Sequence, residues 1–222
     1  IAKDPHEIRN LAGEKAYAGV LADLRERLDE RMKEVRDVGL LPEALYGEKA
    51  GKATLRDYAL SENNPLEEVM ALAEKAISRE ASFLGDLRAA MASEDELLRY
   101  WGVKGVLIRG GDARELAGEL EALLGDKSDA VRILAAQSLI EMGLPLGEER
   151  VLAVLKQAVR SRQEAVNTMA LQVLEKWPKG YFALRDEVVA WAGEKQGGRE
   201  TRDLAKEMLA KEKSGRIKMP HD

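Results

Sequence analysis

Apolar residues recur at helical spacing along most of the chain, and four stretches in its second half repeat that pattern in one register. The repeated stretches are LLRYWGVKGVL, VRILAAQSLIEMG, VNTMALQVLEKW and TRDLAKEML. Their superposition gives four anchor positions, spaced by 33, 35 and 35 residues: Arg99, Arg132, Asn167 and Arg202. Paired helices that repeat at this interval are typical of α-solenoids.

Each repeat is predicted to contain two helices. The first helices are followed, at equivalent positions, by Gly110, Gly143 and Pro178, residues that commonly end a helix. The returning helices are predicted at 113–124, 149–160 and 184–195. An acid stands three residues before each of the first three anchors, where it favours the helix N-terminus and can pair with an arginine anchor: Glu96, Asp129 and Glu164. A last helix is predicted at 200–211.

The first 91 residues follow other patterns. An apolar stripe at three- and four-residue spacing predicts one long helix from residue 14 to about 36. Residues 38–64 are rich in glycine, proline and asparagine, which predicts a mostly irregular connector over the surface. Pro65 is expected to open a helix, and a partner helix over 82–91 completes a first, shorter pair.

Composition limits the classes of function. With 222 residues, 45% apolar and 34% charged, the chain is expected to fold as one elongated body or two small domains. Its net charge of −5, with both signs interspersed, predicts no nucleic-acid partner. The absence of cysteine excludes disulfides, thiolate metal ligands and a cysteine nucleophile. No apolar run has the length of a membrane span.

The N-terminal segments DPHEIRNLA, YAGVLADLRERLDERM and RDVGLLPEAL follow one another closely. In this order they resemble the end of the C-terminal subdomain of bacterial sulfatases, where a strand precedes a D-P-x-E-x-x-N-L-A segment and a long helix. The matching residues are Asp4, Pro5, Glu7, Asn10, Leu11 and Ala12. Similar proteins often carry tryptophan before the methionine of that helix, whereas this chain has Arg31 before Met32.

Some sulfatases of this group carry a HEAT-like helical region after that subdomain, and RYWGVKGVL and VRILAAQSLIEMG resemble its helices. The resemblance implies a mainly α chain, an α-α superhelix of the HEAT-like solenoid kind preceded by the helical end of an α+β subdomain. The implied divisions are 1–37 for the subdomain end, 38–64 for the connector, 65–213 for the repeats and 214–222 for a frayed tail. Ile1 would then be a strand remnant, with more chain upstream, and the resemblance suggests a periplasmic or secreted protein.

Sulfatases depend on a C/S-x-P-x-R motif and on a cluster of Asp and Asn or His residues that holds a divalent cation. None of the six prolines here has Cys or Ser two positions before it. The chain is therefore interpreted as a non-catalytic part of a sulfatase-like hydrolase, with no catalytic, cofactor-binding or metal-ligating residue of its own. Calcium is implied only for the missing catalytic domain, which would be its partner. The alternative hypothesis is a stand-alone HEAT-like scaffold that binds a protein partner or itself.

Several other features suggest chemistry but have simpler explanations. His6 lacks partners for a metal or a general base and is expected to be an exposed first-turn residue. Residues 47–54, GEKAGKAT, fall one position short of a phosphate-binding loop and are expected to be coil. Trp101 aligns with Leu134 and Met169 and is expected in the core, whereas Tyr100 should tolerate polar replacement.

Two clusters near the end of the chain are less clear. Four aromatic residues either cap the helical stack, which we favour, or form an apolar contact patch: Trp177, Tyr181, Phe182 and Trp191. Trp191 also fits the core face of its helix. Four basic residues could form a strip along one edge, although a solvated face is the commoner explanation: Lys156, Arg160, Arg162 and Arg185.

We predict that the purified chain neither hydrolyses a generic aryl sulfate nor binds stoichiometric calcium or magnesium. The sequence lacks the nucleophile motif that covalent sulfate-ester chemistry requires and the ligand cluster that would neutralise its charge. A chromogenic aryl sulfate assay and metal analysis of the dialysed protein check this. Turnover above the buffer control that a chelator abolishes would contradict it.

Overall fold

The computed structural model describes residues 8–143, 148–194 and 198–219, and within these ranges the ordered elements are helices, with no β-strand. The helices are α1 (Ala18–Val35), α2 (Tyr46–Ala50), α3 (Leu55–Leu60), α4 (Leu66–Ser78), α5 (Leu84–Met91), α6 (Glu96–Arg109), α7 (Ala117–Leu123), α8 (Asp129–Glu141), α9 (Glu148–Val159), α10 (Glu164–Lys176), α11 (Pro178–Ala183), α12 (Arg185–Gly193) and α13 (Arg199–Lys213). Short 3-10 segments lead into α1, α2, α5 and α7 at Lys15–Tyr17, Glu43–Leu45, Ala81–Phe83 and Gly110–Leu116. The prediction of a mainly α chain is confirmed for the described residues.

Most of the long-range packing joins helices that are neighbours along the chain. Helix α6 packs on α4 and α5, α8 packs on α6 and α7, α10 packs on α8 and α9, and α13 packs on α10 and α12. Each of these four helices therefore buries its apolar side chains against two earlier ones, and the core runs without interruption from α4 to α13.

The turns before α6, α8 and α10 are built in the same way. In each turn a side-chain oxygen accepts a hydrogen bond from the backbone N–H two residues later. The acceptors are Ser93, Asp126 and Ser161, at 3.1, 2.8 and 3.2 Å. The donors are extended residues that immediately precede the helices: Asp95, Ser128 and Gln163. This local bond turns the backbone out of the previous helix and sets the direction of the next one.

The anchor residues hold these turns against their own helices. Each anchor donates to the carbonyl six residues earlier: Arg99 to Ser93 at 2.8 Å, Arg132 to Asp126 at 2.5 Å, and Asn167 to Ser161 at 2.5 Å. In the third repeat the side-chain amide of Asn167 therefore makes the hydrogen bond that the guanidinium groups of Arg99 and Arg132 make in the first two. The corresponding carbonyl for Arg202 lies outside the described residues.

Arg99 also makes a buried ion pair with the following turn. Its Nε and Nη2 lie 2.7 and 2.9 Å from the two carboxylate oxygens of Asp126, and both side chains are less than one tenth exposed. The sequence suggested Glu96 as the partner of Arg99, but the bidentate pair joins two successive turns instead. Arg132 pairs with Asp129 as expected. The Arg99–Asp126 pair fixes the spacing between α6 and α8.

Two glycines inside α6 allow α5 to lie unusually close. A Cβ atom on Gly102 would stand 2.8 Å from the backbone nitrogen of Met91, and one on Gly105 would stand 2.5 Å from a methyl group of Leu87. Glycine weakens a helix interior by roughly 0.5–1 kcal/mol. Here only glycine permits the contact, which places Leu87 fully inside the core.

The ends of several helices differ from the predictions. The helix predicted at 184–195 is present as α12, and an additional short helix, α11, begins at Pro178, because proline lacks an N–H and suits the first position of a helix. In the tail, Ile217 is buried and its N–H bonds to the carbonyl of Lys211. Within the described part of the tail, to residue 219, Ile217 is thus held against the core, while Arg216, Lys218 and Met219 are exposed.

We predict that Asp126→Ala lowers the free energy of unfolding by about 3–5 kcal/mol, since it leaves the Arg99 guanidinium buried without its counter-charge. The N–H of Ser128 also loses its acceptor. Asp23→Ala, which breaks the exposed Arg27–Asp23 pair on α1, is the control and should cost only about 0.3–0.5 kcal/mol. Urea titration measures both. Similar small losses for the two variants would show that the Arg99–Asp126 pair does not support the array.

Candidate binding groove

Residues 38–50, which we call the strap, cross the face formed by α6, α8 and α10. Leu41, Ala44 and Leu45 of the strap are buried, and its 3-10 segment contacts both α8 and α10. On α6, Nε1 of Trp101 donates to the carbonyl of Leu40 at 2.8 Å. The strap is therefore part of the core and spans three successive helices.

The prediction that residues 38–64 form a mostly irregular surface connector is wrong. The segment contains α2 and α3, and Thr54 and Asp57 form a capping box at the start of α3. Residues 47–50, expected to be coil, belong to α2. Glycine and proline suggested a loop, but the burial of Leu45 and Tyr58 holds the segment against the helices.

Lys49 ties the end of the strap to the N-terminus of α6. Its Nζ lies 2.7 Å from a carboxylate oxygen of Asp95 and 3.3 Å from one of Glu96, and its side chain is only 9% exposed. The same ammonium group lies 5.9 Å from the ring centre of Tyr58. Because a nearly buried ammonium is costly without its carboxylates, these contacts fix where the strap leaves the groove.

Acidic groups are concentrated around this end of the strap. Burial raises the pKa of Glu48, and the carboxylates of Glu96 and Asp129 raise it further, against the opposing effect of Arg132 and Lys49. Burial and the nearby carboxylates of Asp95 and Glu96 raise the pKa of Tyr58 to about 12. The N-terminal ends of α6 and α8 therefore carry a negative local environment.

A cavity of about 340 Å³ lies beside the strap. The strap contributes Pro42, Glu43 and Ala44 to its lining. The helices contribute an apolar lining: Tyr100, Ile133, Leu134, Ala165 and Met169. They also contribute polar side chains: Lys104, Gln137, Thr168, Gln172, Lys176 and, from α13, Glu200. The lining is therefore divided evenly between apolar and polar residues, and it offers both apolar contact and hydrogen-bonding groups.

The polar residues of the cavity follow the repeat. Lys104, Gln137 and Gln172 are separated by 33 and 35 residues and so occupy one equivalent position on α6, α8 and α10. The side chain of Glu164 accepts a bond from the backbone N–H of Glu200 at 3.0 Å, which places Glu200 at the N-terminal end of α10. Lys176 lies at the other end of α10, about 18 Å from Glu164 along the helix axis at 1.5 Å per residue.

The groove can therefore hold a ligand through apolar contact along its floor and hydrogen bonds along one edge. Lys104 and Lys176 have no hydrogen-bond or ion-pair partner in the part of the chain that the structure describes. The hydroxyl of Thr168 is already paired with that of Thr201 at 2.9 Å. Neither of the unpaired lysines is needed to satisfy another buried group.

Trp101 and Tyr100, whose environments were predicted from the repeat register, lie at the edge of the groove. Trp101 is partly buried and packs against the hydrophobic core, and its Nε1 bonds to the strap. Tyr100 is also partly buried, its ring meets that of Trp101 edge-on at 6.4 Å, and burial raises its pKa. Because both rings are partly buried, the expectation that Tyr100 tolerates polar replacement better than Trp101 stays a prediction.

The four C-terminal aromatic residues pack between helices. Tyr181 is fully buried and donates to Glu212 on α13 at 2.7 Å. Trp191 is partly buried, and its Nε1 donates to the carbonyl of Val159 at 2.6 Å. Phe182 stands edge-on to Tyr181 at 5.1 Å, and Trp177 lies over Gly180. The cluster joins α11 and α12 to the rest of the array and does not form an exposed patch.

The predicted basic strip is largely neutralised by acids. Glu187 lies 2.7 Å from Arg160 and 3.7 Å from Lys156, and Glu212 lies 2.9 Å from Arg185. These pairs explain why the strip offers little net charge to a ligand. His6 and His221 lie outside the described residues.

Sequence reasoning predicted no binding residue and so missed the groove. The row formed by Lys104, Gln137 and Gln172 could have been predicted from the sequence, because these three polar residues share one position of a repeat whose register was known. The position of the strap could not have been predicted, since nothing in its glycine-rich sequence indicates which helices it contacts.

Within 8–143, 148–194 and 198–219, no group of three or more His, Cys, Asp or Glu side chains is arranged to hold a metal ion. None of the helices in these ranges combines the length and the apolar character that crossing a membrane requires.

Comparison with protein-family models, with curated proteins and with solved structures found no match to this chain.

We predict that Leu45→Ala lowers the free energy of unfolding by about 2–5 kcal/mol, as truncation of a fully buried leucine does elsewhere. Leu60→Ala, at a residue of α3 that is 56% exposed, is the matched control and should change it by less than about 0.5 kcal/mol. Denaturant titration of both variants gives the comparison. Equal small changes would mean that the strap is not part of the folded core.

Proposed function

We propose that this chain is a non-catalytic, HEAT-like helical solenoid that holds an extended segment of a protein partner across α6, α8 and α10. The observation that carries this proposal is the strap. A segment of the chain's own backbone already lies across these three helices, with Leu45 fully buried and Trp101 bonded to a strap carbonyl. The same face continues beside the strap as an unfilled cavity of about 340 Å³.

The repeated construction of the turns supports a solenoid. Three turns use the same side-chain bond two residues ahead and the same anchor bond six residues back. In a solenoid each repeat contacts mainly its neighbours and the stack presents an extended surface. The sequential packing of α6, α8, α10 and α13 agrees with this arrangement.

The chemistry of the face favours a polypeptide ligand. An extended chain needs apolar contact for alternate side chains and hydrogen bonds for its backbone amides. The floor of the cavity supplies apolar contact through residues such as Met169. The side-chain amides of Gln137 and Gln172 supply hydrogen bonds. The bond from Trp101 to the strap is an example of backbone recognition on this face.

A second candidate function is supported by α1. Tyr17, Val20, Leu24 and Leu28 form one stripe on this helix and are 46–58% exposed. An exposed apolar stripe of this kind commonly packs against another domain. This favours the interpretation that the chain is the C-terminal part of a sulfatase-like hydrolase, with α1 packed on the upstream domain. A C/S-x-P-x-R motif encoded upstream would support that interpretation, and an initiator methionine at or just before Ile1 would exclude it.

We predict that a displayed peptide library selected on the full chain yields sequences whose binding depends on the groove. Gln172→Trp fills the groove from an exposed position on α10 and should abolish binding of the selected peptides. Gln157→Trp, which makes the same change at an exposed glutamine of α9, is the matched control and should leave binding unchanged. Circular dichroism confirms that both variants fold. Peptides that bind both variants equally, or no enrichment at all, would contradict the proposed function.

A further inference from the structure

The strap covers only part of the face that α6, α8 and α10 present. Lys49 joins its end to Asp95 and Glu96 at the start of α6, and Trp101, in the second turn of α6, bonds to Leu40. On α6, the first of these helices, the covered region is therefore the N-terminal half. Their C-terminal halves carry Lys104, Gln137, Gln172 and Lys176 along the remaining cavity.

This uncovered half differs in charge from the covered half. Two carboxylates line the cavity: Glu200, beside the first turn of α10, and Glu43, on the strap. Asp95 and Glu96, outside the cavity, bind Lys49 at the start of α6. The C-terminal side presents two ammonium groups and two side-chain amides. The lining as a whole carries two lysines and two glutamates, and both lysines lie on the C-terminal side.

The two lysines also differ from most basic residues on the helices. Lys75, Lys179 and Lys211 each contact a carboxylate of the same chain. Lys104 and Lys176 contact none in the described residues. Gln137 bonds to Glu141 at 2.8 Å through one N–H, and the amide group has a second N–H to donate. This edge of the cavity therefore has donors in excess of acceptors.

We propose that the C-terminal halves of α6, α8 and α10 bind an extended acidic protein segment, which lies beside the strap with its carboxylates at Lys104 and Lys176. Apolar side chains of that segment contact the floor of the cavity, and Gln137 and Gln172 donate to its carbonyl or carboxylate oxygens. Charge complementarity selects the partner and its direction, since the opposite edge of the cavity carries Glu200. The inference rests on the proposed function, and it adds the chemical class of the ligand.

The test uses three short fluorescein-labelled peptides of equal length, in which leucine alternates with aspartate, asparagine or lysine. Fluorescence anisotropy with the full chain should detect binding of the leucine–aspartate peptide, weakened by added salt because exposed charges are screened. The asparagine peptide should bind at least about tenfold more weakly, the factor expected when two partly exposed charge pairs are lost. Binding of the lysine peptide should not be detected.

The double variant Lys104→Glu with Lys176→Glu should lose at least about tenfold in affinity for the aspartate peptide. Lys104→Gln with Lys176→Gln removes the charges without reversing them and should give a smaller loss in the same direction. Lys206→Glu, at an exposed lysine of α13 outside the cavity, is the control and should have no effect. Circular dichroism and urea titration establish that the variants are folded.

Three results would overturn the inference. These are equal affinity for the aspartate and asparagine peptides, a preference for the lysine peptide, and no binding of any of the three. Self-association in sedimentation experiments that the Lys104→Glu, Lys176→Glu variant abolishes would also overturn it, since a second copy would then be the ligand. If the peptide library yields groove-dependent binders without acidic residues, the inference fails and the proposed function stands.

Discussion

The bond from each anchor side chain to the carbonyl six residues earlier is the constraint on which the helical array depends. It holds the turn that precedes a helix against that helix, so the angle between the helix and its predecessor is set locally. The buried Arg99–Asp126 pair then joins one turn to the next. Because both partners are removed from water, a shift between α6 and α8 would leave a charge unpaired, and this makes the register strict. The array therefore gains its order from a few polar contacts as well as from its apolar core.

That strict register explains the groove. Since α6, α8 and α10 are set side by side at one level, residues at equivalent positions form rows across the three helices. Trp101 bonds to the strap, and its equivalents Leu134 and Met169 line the cavity together with the row that begins at Lys104. The strap in turn adds apolar contacts that span the three helices, which ties together repeats that would otherwise contact only their neighbours. The cavity and the strap that braces the array thus result from the same geometry.

Most of the repeat region could be predicted from the sequence because its determinants are local. Helical periodicity, stops such as Gly110 and the 33- to 35-residue interval each depend on residues close in sequence, and the helices lie near the predicted positions. The same kind of local reasoning gave a wrong prediction for residues 38–64. Their glycines and prolines describe local backbone preference, whereas the burial of Leu45 and Tyr58 depends on helices that lie far along the chain. The partial burial of Tyr100 has a related reason, because the repeat register gave its side of the helix but not the strap nearby.

The sequence by itself determined that the chain is helical, where most helices begin and end, and which side chains occupy equivalent positions. These properties follow from the spacing of apolar residues and from short-range backbone chemistry, both of which depend on residues close in the sequence. Only the tertiary structure decided that Asp126 rather than Glu96 neutralises Arg99, that the strap lies on three helices, and that Lys104 and Lys176 border one cavity. Each of these depends on contacts between distant segments, where burial and charge pairing outweigh local preference and leave no pattern in the sequence.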